Sequence, residues 1–252
     1  MPDGETPAGF VRVTIGRHAA VARAAHVEDA RRMLADGSLY AFAARELAAR
    51  PLQGRGVAYA ITLPATGTRA VVRHNRHGGL LAPLTRDLFL APTRAPHELA
   101  AALRLRALGV PTPDVLMYGT SSAGFVFRRA DVVTREVDDG RDLASFMMPE
   151  AKSDERATAW AATRTLVRAM NEAGVRHHDL NVKNVLLTPS EDGLAAHLLD
   201  VDRVTFGAPR SAEIARANVT RLLRSARKWR DERGALFDES ELASLGETLA
   251  AR

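Results

Sequence analysis

Cysteine is absent from all 252 residues. Disulfides and thiolate metal ligands are therefore excluded, and any metal must be held by oxygen or imidazole, which favours magnesium or manganese over structural zinc. Aromatic residues make up only 5% of the chain. None interleaves with the basic residues as a base-stacking surface requires, which disfavours nucleic acid as a partner. No apolar run approaches the roughly 18 to 20 residues that cross a bilayer. Met1 to Phe10 has neither the basic start nor the apolar middle of a secretory signal, so the expected location is the cytoplasm. Lysine is scarce too, with Lys152, Lys183 and Lys228 alone, so arginine supplies nearly all of the 35 basic side chains that face 30 acidic ones. The resulting charge of +5 suits anionic partners such as nucleotide, phosphorylated lipid or a membrane surface.

What remains is ample for a folded core: 46% of residues are hydrophobic and 26% charged, enough for one domain or two closely joined lobes. Alternation in Phe10 to Ile15 predicts a strand, and Val27 to Asp36 a helix closed at Gly37. Gly54-Arg55-Gly56 then precedes an apolar run, Val57 to Leu63, a turn at Pro64 to Gly67, and a second run, Arg69 to Arg73. Helical spacing of Leu99, Ala102, Leu103 and Ala107 predicts a helix over Pro96 to Leu108. Val115 to Gly119 and Gly124 to Phe127 read as a hairpin, with a further strand at Val132 to Val137. From Leu143 the pattern turns helical, including a long helix from Ser153, read as its cap, to Ala173. The shift from strands to helices places a junction near Arg135 to Gly140.

The stretch from Gly174 to Leu187 carries the densest chemistry. It leaves the long helix and ends in an apolar strand, so its polar side chains lie on a loop held by two rigid elements. Asp179 and Asn184 stand five residues apart there. A second apolar segment, His197-Leu198-Leu199-Asp200-Val201-Asp202, follows a turn at Pro189 to Gly193. A hairpin of that kind brings Asn184 and Asp200 to the same end of neighbouring strands. One carboxylate near an acceptor hydroxyl, and an amide oxygen with a second carboxylate to hold Mg²⁺ against phosphates, are what phosphoryl transfer requires. Two adjacent histidines, His177 and His178, invite a zinc site, but no third ligand has suitable spacing.

The run His177-His178-Asp179-Leu180-Asn181-Val182-Lys183-Asn184, with Asp200-Val201-Asp202 beyond it, resembles the protein-kinase catalytic loop H-R-D-L-x-x-x-N and the D-F-G aspartate. The resemblance implies that Asp179 is the base or acceptor-positioning group, that Asn184 and Asp200 are metal ligands, and that His177 packs behind the loop. Gly54 and Gly56 match the first two glycines of the kinase phosphate loop, with Tyr59 in place of the third. Ala70-Val71-Val72-Arg73 matches V-A-I-K with arginine for lysine, which keeps the charge and can grip a phosphate or carboxylate bidentately. Glu98 is the natural partner of Arg73 in that scheme.

Within this superfamily the chain resembles the bacterial lipopolysaccharide kinases, especially those acting on 3-deoxy-D-manno-octulosonic acid (Kdo). Val72-Arg73-His74-Asn75-Arg76-His77-Gly78-Gly79 is similar to their arginine-bearing strand and basic Gly-Gly segment, His177 to Asn181 to their H-x-D-L-N loop, and Leu199-Asp200-Val201-Asp202-Arg203 to their D-F-D-R, with Val201 for phenylalanine. The implied fold is a bilobal α+β protein-kinase-like fold. Residues 1–136 would form a small antiparallel-sheet lobe with one helix and the phosphate site, and residues 137–252 a mainly helical lobe with the catalytic loop. The implied activity is ATP-dependent transfer, with Mg²⁺ or Mn²⁺, to a sugar hydroxyl of a Kdo-containing lipopolysaccharide core or lipid A precursor. An anionic glycolipid or sugar would be the acceptor, at the cytoplasmic face of the inner membrane. The scarcity of chain after Asp202 and the lack of an A-P-E motif disfavour a peptide acceptor. Arg73, His74, Arg76 and His77, with Arg86 and Arg94, are candidates for meeting an anionic acceptor. The basic amphipathic stretch Arg221, Arg224, Arg227, Lys228 and Arg230 is a candidate for membrane contact. Another small molecule or a protein as acceptor, and a catalytically silent kinase-like binding module, are the competing readings.

Overall fold

Strand β1 (Phe10–Ile15) forms where apolar and polar side chains alternate, and it turns back through Gly16 and Arg17 into β2 (His18–Arg23). Gly16, at φ +55°, supplies left-handed backbone to that two-residue turn. The computed structural model describes residues 6–53, 56–74, 89–90, 93–122 and 127–243. It divides into two units, Met1–Ala100 with Asp114–Glu136, and Ala101–Pro113 with Val137–Arg252.

In the first unit, α1 (Val27–Ala35) and α2 (Leu39–Arg45) follow β2. Then come β3 (Arg50–Gln53), β4 (Val57–Thr62), β5 (Arg69–His74), β6 (Phe89–Leu90), the start of α3 (Ala95–Ala107), β7 (Val115–Ser122) and β8 (Phe127–Arg135). The strands make one antiparallel sheet in the order β1-β2-β7-β8-β5-β4-β3, with β6 also on β8. Met33, Leu34, Leu39 and Phe42 of the two helices bury against Val13, Ile61, Val72, Met117 and Val133 of the sheet. A side chain at Gly119 would stand 2.9 Å from the Leu39 Cδ1, so α2 approaches β7 this closely only because residue 119 has none.

Asp29 joins α1 to the turn between β4 and β5. Fully buried, it accepts the amides of Ala65 at 2.7 Å and Thr66 at 3.1 Å, the Thr66 hydroxyl at 2.8 Å, and a bond with His26 Nδ1 at 3.0 Å. Burial pushes its carboxyl pKa up, but the bonds from His26, Ala65 and Thr66 outweigh that, and the net shift is downward.

Two expectations change here. The one helix that the implied fold gives the sheet unit is too few: the helices read at Val27 to Asp36 and Pro96 to Leu108 both form, and α2 adds another by burying an apolar face of its own. The hairpin read at Val115 to Phe127 and the separate strand at Val132 to Val137 are instead two long paired strands, since β-branched residues carry β8 through to Thr134. Gly54 and the basic residues Arg76, His77 and Arg86 lie outside the described residues.

The second unit is dominated by two long helices. After β9 (Arg141–Asp142) and α4 (Leu143–Phe146) runs α5 (Ser153–Glu172), burying Trp160, Leu166, Val167 and Met170. Ser153 is not its cap: Lys152 holds that position and gives no side-chain bond, while Asp154 and Glu155 meet the helix dipole in the first turn. Strands β10 (Val175–His177), β11 (Val185–Ser190), β12 (Gly193–Leu198) and β13 (Val204–Phe206) follow, then α6 (Ala212–Arg233). They form a three-stranded sheet, β12-β11-β9, and a β10-β13 ribbon. Among the described residues no helix is long and apolar enough to cross a membrane.

Candidate active site

Helix α5 ends at Gly174, whose φ of +66° and crowded surroundings exclude any side chain: a Cβ there would lie 2.5 Å from the Gly207 carbonyl oxygen. The chain emerges into β10 and the segment His177 to Asn184. His177 is fully buried. Its Nε2 is 3.0 Å from the Leu199 carbonyl and its Nδ1 accepts the Asp179 amide at 3.1 Å, which fixes a neutral imidazole protonated on Nε2. Burial lowers its pKa, against the Leu199 carbonyl and the carboxylates of Asp200, Asp179 and Asp202, all of which favour the proton. The ring thus links the backbone of Asp179 to the residue before Asp200.

The Asp179 carbonyl accepts two side-chain amides, from Asn181 at 2.9 Å and Asn184 at 2.8 Å. The Asn181 Oδ1 also accepts the Lys183 amide at 2.9 Å. Lys183 pairs with Asp142 at 2.5 Å, and that carboxylate also caps α4 through Ser145. From below, α6 holds the segment with two side chains seven residues apart on its buried face. Asn218 accepts the His177 amide at 3.0 Å and donates to the Val175 carbonyl at 2.7 Å, while the Ser225 hydroxyl accepts the Val182 amide at 3.2 Å.

The β11-β12 register pairs Val185 with Leu198, and the Leu199 amide donates to the Asn184 carbonyl at 2.9 Å. Asn184 and Asp200 therefore meet at the same end of the hairpin, as its spacing predicts. Asp200 has left-handed backbone at φ 53°, ψ 47°. The donor set fits a hard divalent cation. The Asn184 amide nitrogen is committed to the Asp179 carbonyl, which turns its oxygen the other way, and the neighbouring donor is a carboxylate. Mg²⁺ takes only one or two protein carboxylates when phosphates and water complete its shell. Among the described residues no group of three or more His, Asp or Glu side chains gathers to cage a metal.

In the first unit Arg73 lies on β5 between Ala58 of β4 and Val132 of β8. Its guanidinium bonds Glu98 at 2.5 Å, on the first turn of α3. Glu98 is 2% exposed and Arg73 26%, so the carboxylate is sunk in the protein while the cation reaches the surface. Gly56 precedes β4. Asp179, Asn184 and Asp200 come together in one unit and Arg73 with Glu98 in the other.

The sequence profile of the lipopolysaccharide kinase (Kdo/WaaP) family matches residues 43–239. The chain belongs to that family. It is 31% identical to a 3-deoxy-D-manno-octulosonic acid kinase of Actinobacillus succinogenes, over 77% of this chain and 80% of that one. It is 32% identical to the like-named protein of Stenotrophomonas maltophilia, over 78% and 77%. The Haemophilus influenzae protein of that name is 28% identical over 77% and 80%. Solved structures with similarity include WaaP in complex with acyl carrier protein, at 17% identity, 80% and 88% coverage and TM-score 0.48. A Rio2 kinase complex from Chaetomium thermophilum follows at 16% identity, 97% and 73% coverage and TM-score 0.46. As a member of this kinase family the chain is an ATP-dependent phosphotransferase working with a divalent cation, and its α+β fold carries one large antiparallel sheet.

Asn218, Ser225 and Asp142 escaped the sequence reading, and Asn181 entered it only as part of the H-x-D-L-N loop, without a role of its own. A signal existed for two of them: Asn218 and Ser225 interrupt the apolar stripe of α6 at i, i+7 spacing. The basic face of the same helix is partly neutralised, since Arg227 and Arg230 each bond Glu239 at 2.6 Å.

Proposed function

We propose that the chain transfers the γ-phosphate of ATP to a sugar hydroxyl of a Kdo-containing lipopolysaccharide core or lipid A precursor. Asp179 orients the acceptor hydroxyl and takes its proton as the new O–P bond forms and ADP leaves. Asn184 and Asp200 hold Mg²⁺, which supplies charge neutralisation to the phosphate oxygens. Arg73, kept in place by Glu98, binds nucleotide phosphate, with the backbone at Gly54 and Gly56. The carrying observation is the Asp179 backbone, gripped by His177, Asn181 and Asn184, beside the Asn184–Asp200 pair. Such positioning supplies most of what phosphoryl transfer needs. Naming of the relatives as Kdo kinases, over about four fifths of their length, supports the acceptor. Peripheral contact at the cytoplasmic face of the inner membrane, through exposed basic residues of α6 such as Arg224 and Lys228, belongs to the same proposal.

Labelled ATP, offered with Kdo-lipid A, free sugars and a protein mixture, tests the acceptor. Label on the glycolipid is expected, and label on protein alone overturns the assignment. Asp179→Asn should cut transfer by roughly a hundredfold or more while nucleotide still binds. An unchanged rate removes Asp179 from its role.

A further inference from the structure

Beside the catalytic segment the second unit carries a cluster of cations that the proposed chemistry leaves unused. The β10-β13 ribbon pairs Arg176 with Thr205 and His177 with Val204. His178, next along, donates its amide to the Arg203 carbonyl at 2.9 Å, and its Nε2 lies 2.8 Å from the Thr205 hydroxyl. Asn218 ties α6 to the same ribbon through Val175 and His177, and Arg221 sits one turn further along that helix. Arg176 thus lies two residues before His178 along one side of the ribbon, Arg203 lies opposite His178 on the other, and Arg221 follows the tethered Asn218 by one helical turn. In keeping with that placement, His178 has a pKa lowered first by burial and then by the guanidinium charges of Arg176, Arg221 and Arg203.

Little neutralises this group. Arg176 has Glu213 at 3.8 Å, but that carboxylate is 85% exposed, and among the described residues Arg203 pairs with its neighbour Asp202 alone, also at 3.8 Å. The first pair is long and exposed and therefore weak, and the second, although Asp202 is largely buried, is just as long. Arg221 is exposed and makes no ion pair among the described residues. Like charges gathered at one place repel, and an anion bound among them relieves that repulsion while accepting their fixed N–H donors and the Thr205 hydroxyl. We propose that Arg176, His178, Arg203 and Arg221 form a subsite for an anionic oxygen group, carboxylate or phosphate, carried by the acceptor. The subsite adjoins Asp179 in the chain, so an acidic sugar anchored there is presented to the catalytic segment by its charge. This deepens the proposed function and rests on it for the identity of the acceptor.

Two probes separate the possible groups: free 3-deoxy-D-manno-octulosonate, which has a carboxylate and no phosphate, and glucosamine 1-phosphate, which has the reverse. Each is titrated into the full chain, with binding followed by calorimetry and by the imidazole resonances of His178. At least one probe should shift those resonances, and Arg176→Gln/Arg221→Gln should weaken it about tenfold or more while ATP affinity and the melting temperature hold. In turnover the same variant should raise the acceptor KM and leave kcat and the KM for ATP unchanged. Equal binding by both proteins, or no binding of either probe, overturns the subsite. If the wild type phosphorylates no Kdo acceptor yet probe binding still depends on the arginines, the proposed acceptor falls and the subsite stands.

Discussion

At the scale of single residues, Asp200 stands apart. It is one of three non-glycine residues with positive φ among those described, the others being Asp139 and Arg210. Left-handed backbone costs an L-residue about 1–2 kcal/mol, and aspartate and asparagine bear it better than most. Such strain persists where the surroundings impose it. Here they do: Leu199 is fixed by His177 and Asn184, and the Arg203 amide returns to the Asp200 carbonyl at 3.3 Å. Asp200→Asn keeps the tolerance for this backbone and removes the charge. The expected result is a melting temperature close to the wild type's, with the Mg²⁺-dependent part of the ATP-induced thermal shift lost and transfer reduced by roughly a hundredfold or more. A variant that still gains Mg²⁺-dependent stability would take Asp200 out of the proposed metal site.

At the scale of elements, α6 is the support for the proposed catalytic segment, His177 to Asn184. Asn218→Leu fills the same space but strands a buried amide and a buried carbonyl, those of His177 and Val175. The loss expected is about 2–4 kcal/mol, read from urea unfolding, together with reduced transfer although Asn218 touches no reactant. A stability change under about 0.5 kcal/mol, the size typical of an unremarkable surface substitution, would show that the bonds carry nothing. The contrast between α6 and the segment it holds explains what the sequence made legible. Asp179, Asn184 and Asp200 could be read because the loop, strand, turn and strand are local, and their register follows from chain order alone. The Arg73–Glu98 pair could be read because an established pattern joins two positions 25 residues apart. Asn218 could not be assigned, since its partners lie 41 and 43 residues away and no local rule says which backbone groups a buried amide will meet. Helix α2 was missed for a similar reason: its seven residues are too few for a periodic signal, and its place is secured by the absent side chain of Gly119. The turn read at Thr120 to Ala123 was placed too early, because β7 stays paired with β8 through Gly119 to Ser122 and pairing across the sheet overrides the local cost of that glycine.

At the scale of the whole molecule, burial of histidine sets the response to acid. His177, His197, His18 and His178 all have lowered pKa values, each chiefly through burial. The unfolded chain takes up protons near the ordinary value of 6.5 while the folded one resists them. Stability contributed this way is complete above pH 6.5 and is lost as pH falls from there towards the lowered values. Asp29 acts in the same direction further into acid, below its ordinary 3.8. The urea midpoint should therefore be flat above about pH 7 and fall below 6.5, each fully buried histidine adding at most about 1.4 kcal/mol per pH unit. His177→Gln should flatten that slope, and an unaltered slope would exclude His177 as a source.

The two side chains that α6 lends to the catalytic segment also bear on how the second unit opens. The amides of His177 and Val182 end on Asn218 and Ser225, not on strand partners. Their hydrogens should then exchange with solvent in step with the middle of α6, at one shared opening free energy. The proposed reaction centre and the helix beneath it would loosen as a single event, and a ligand that binds only the closed segment would slow exchange along the helix as well.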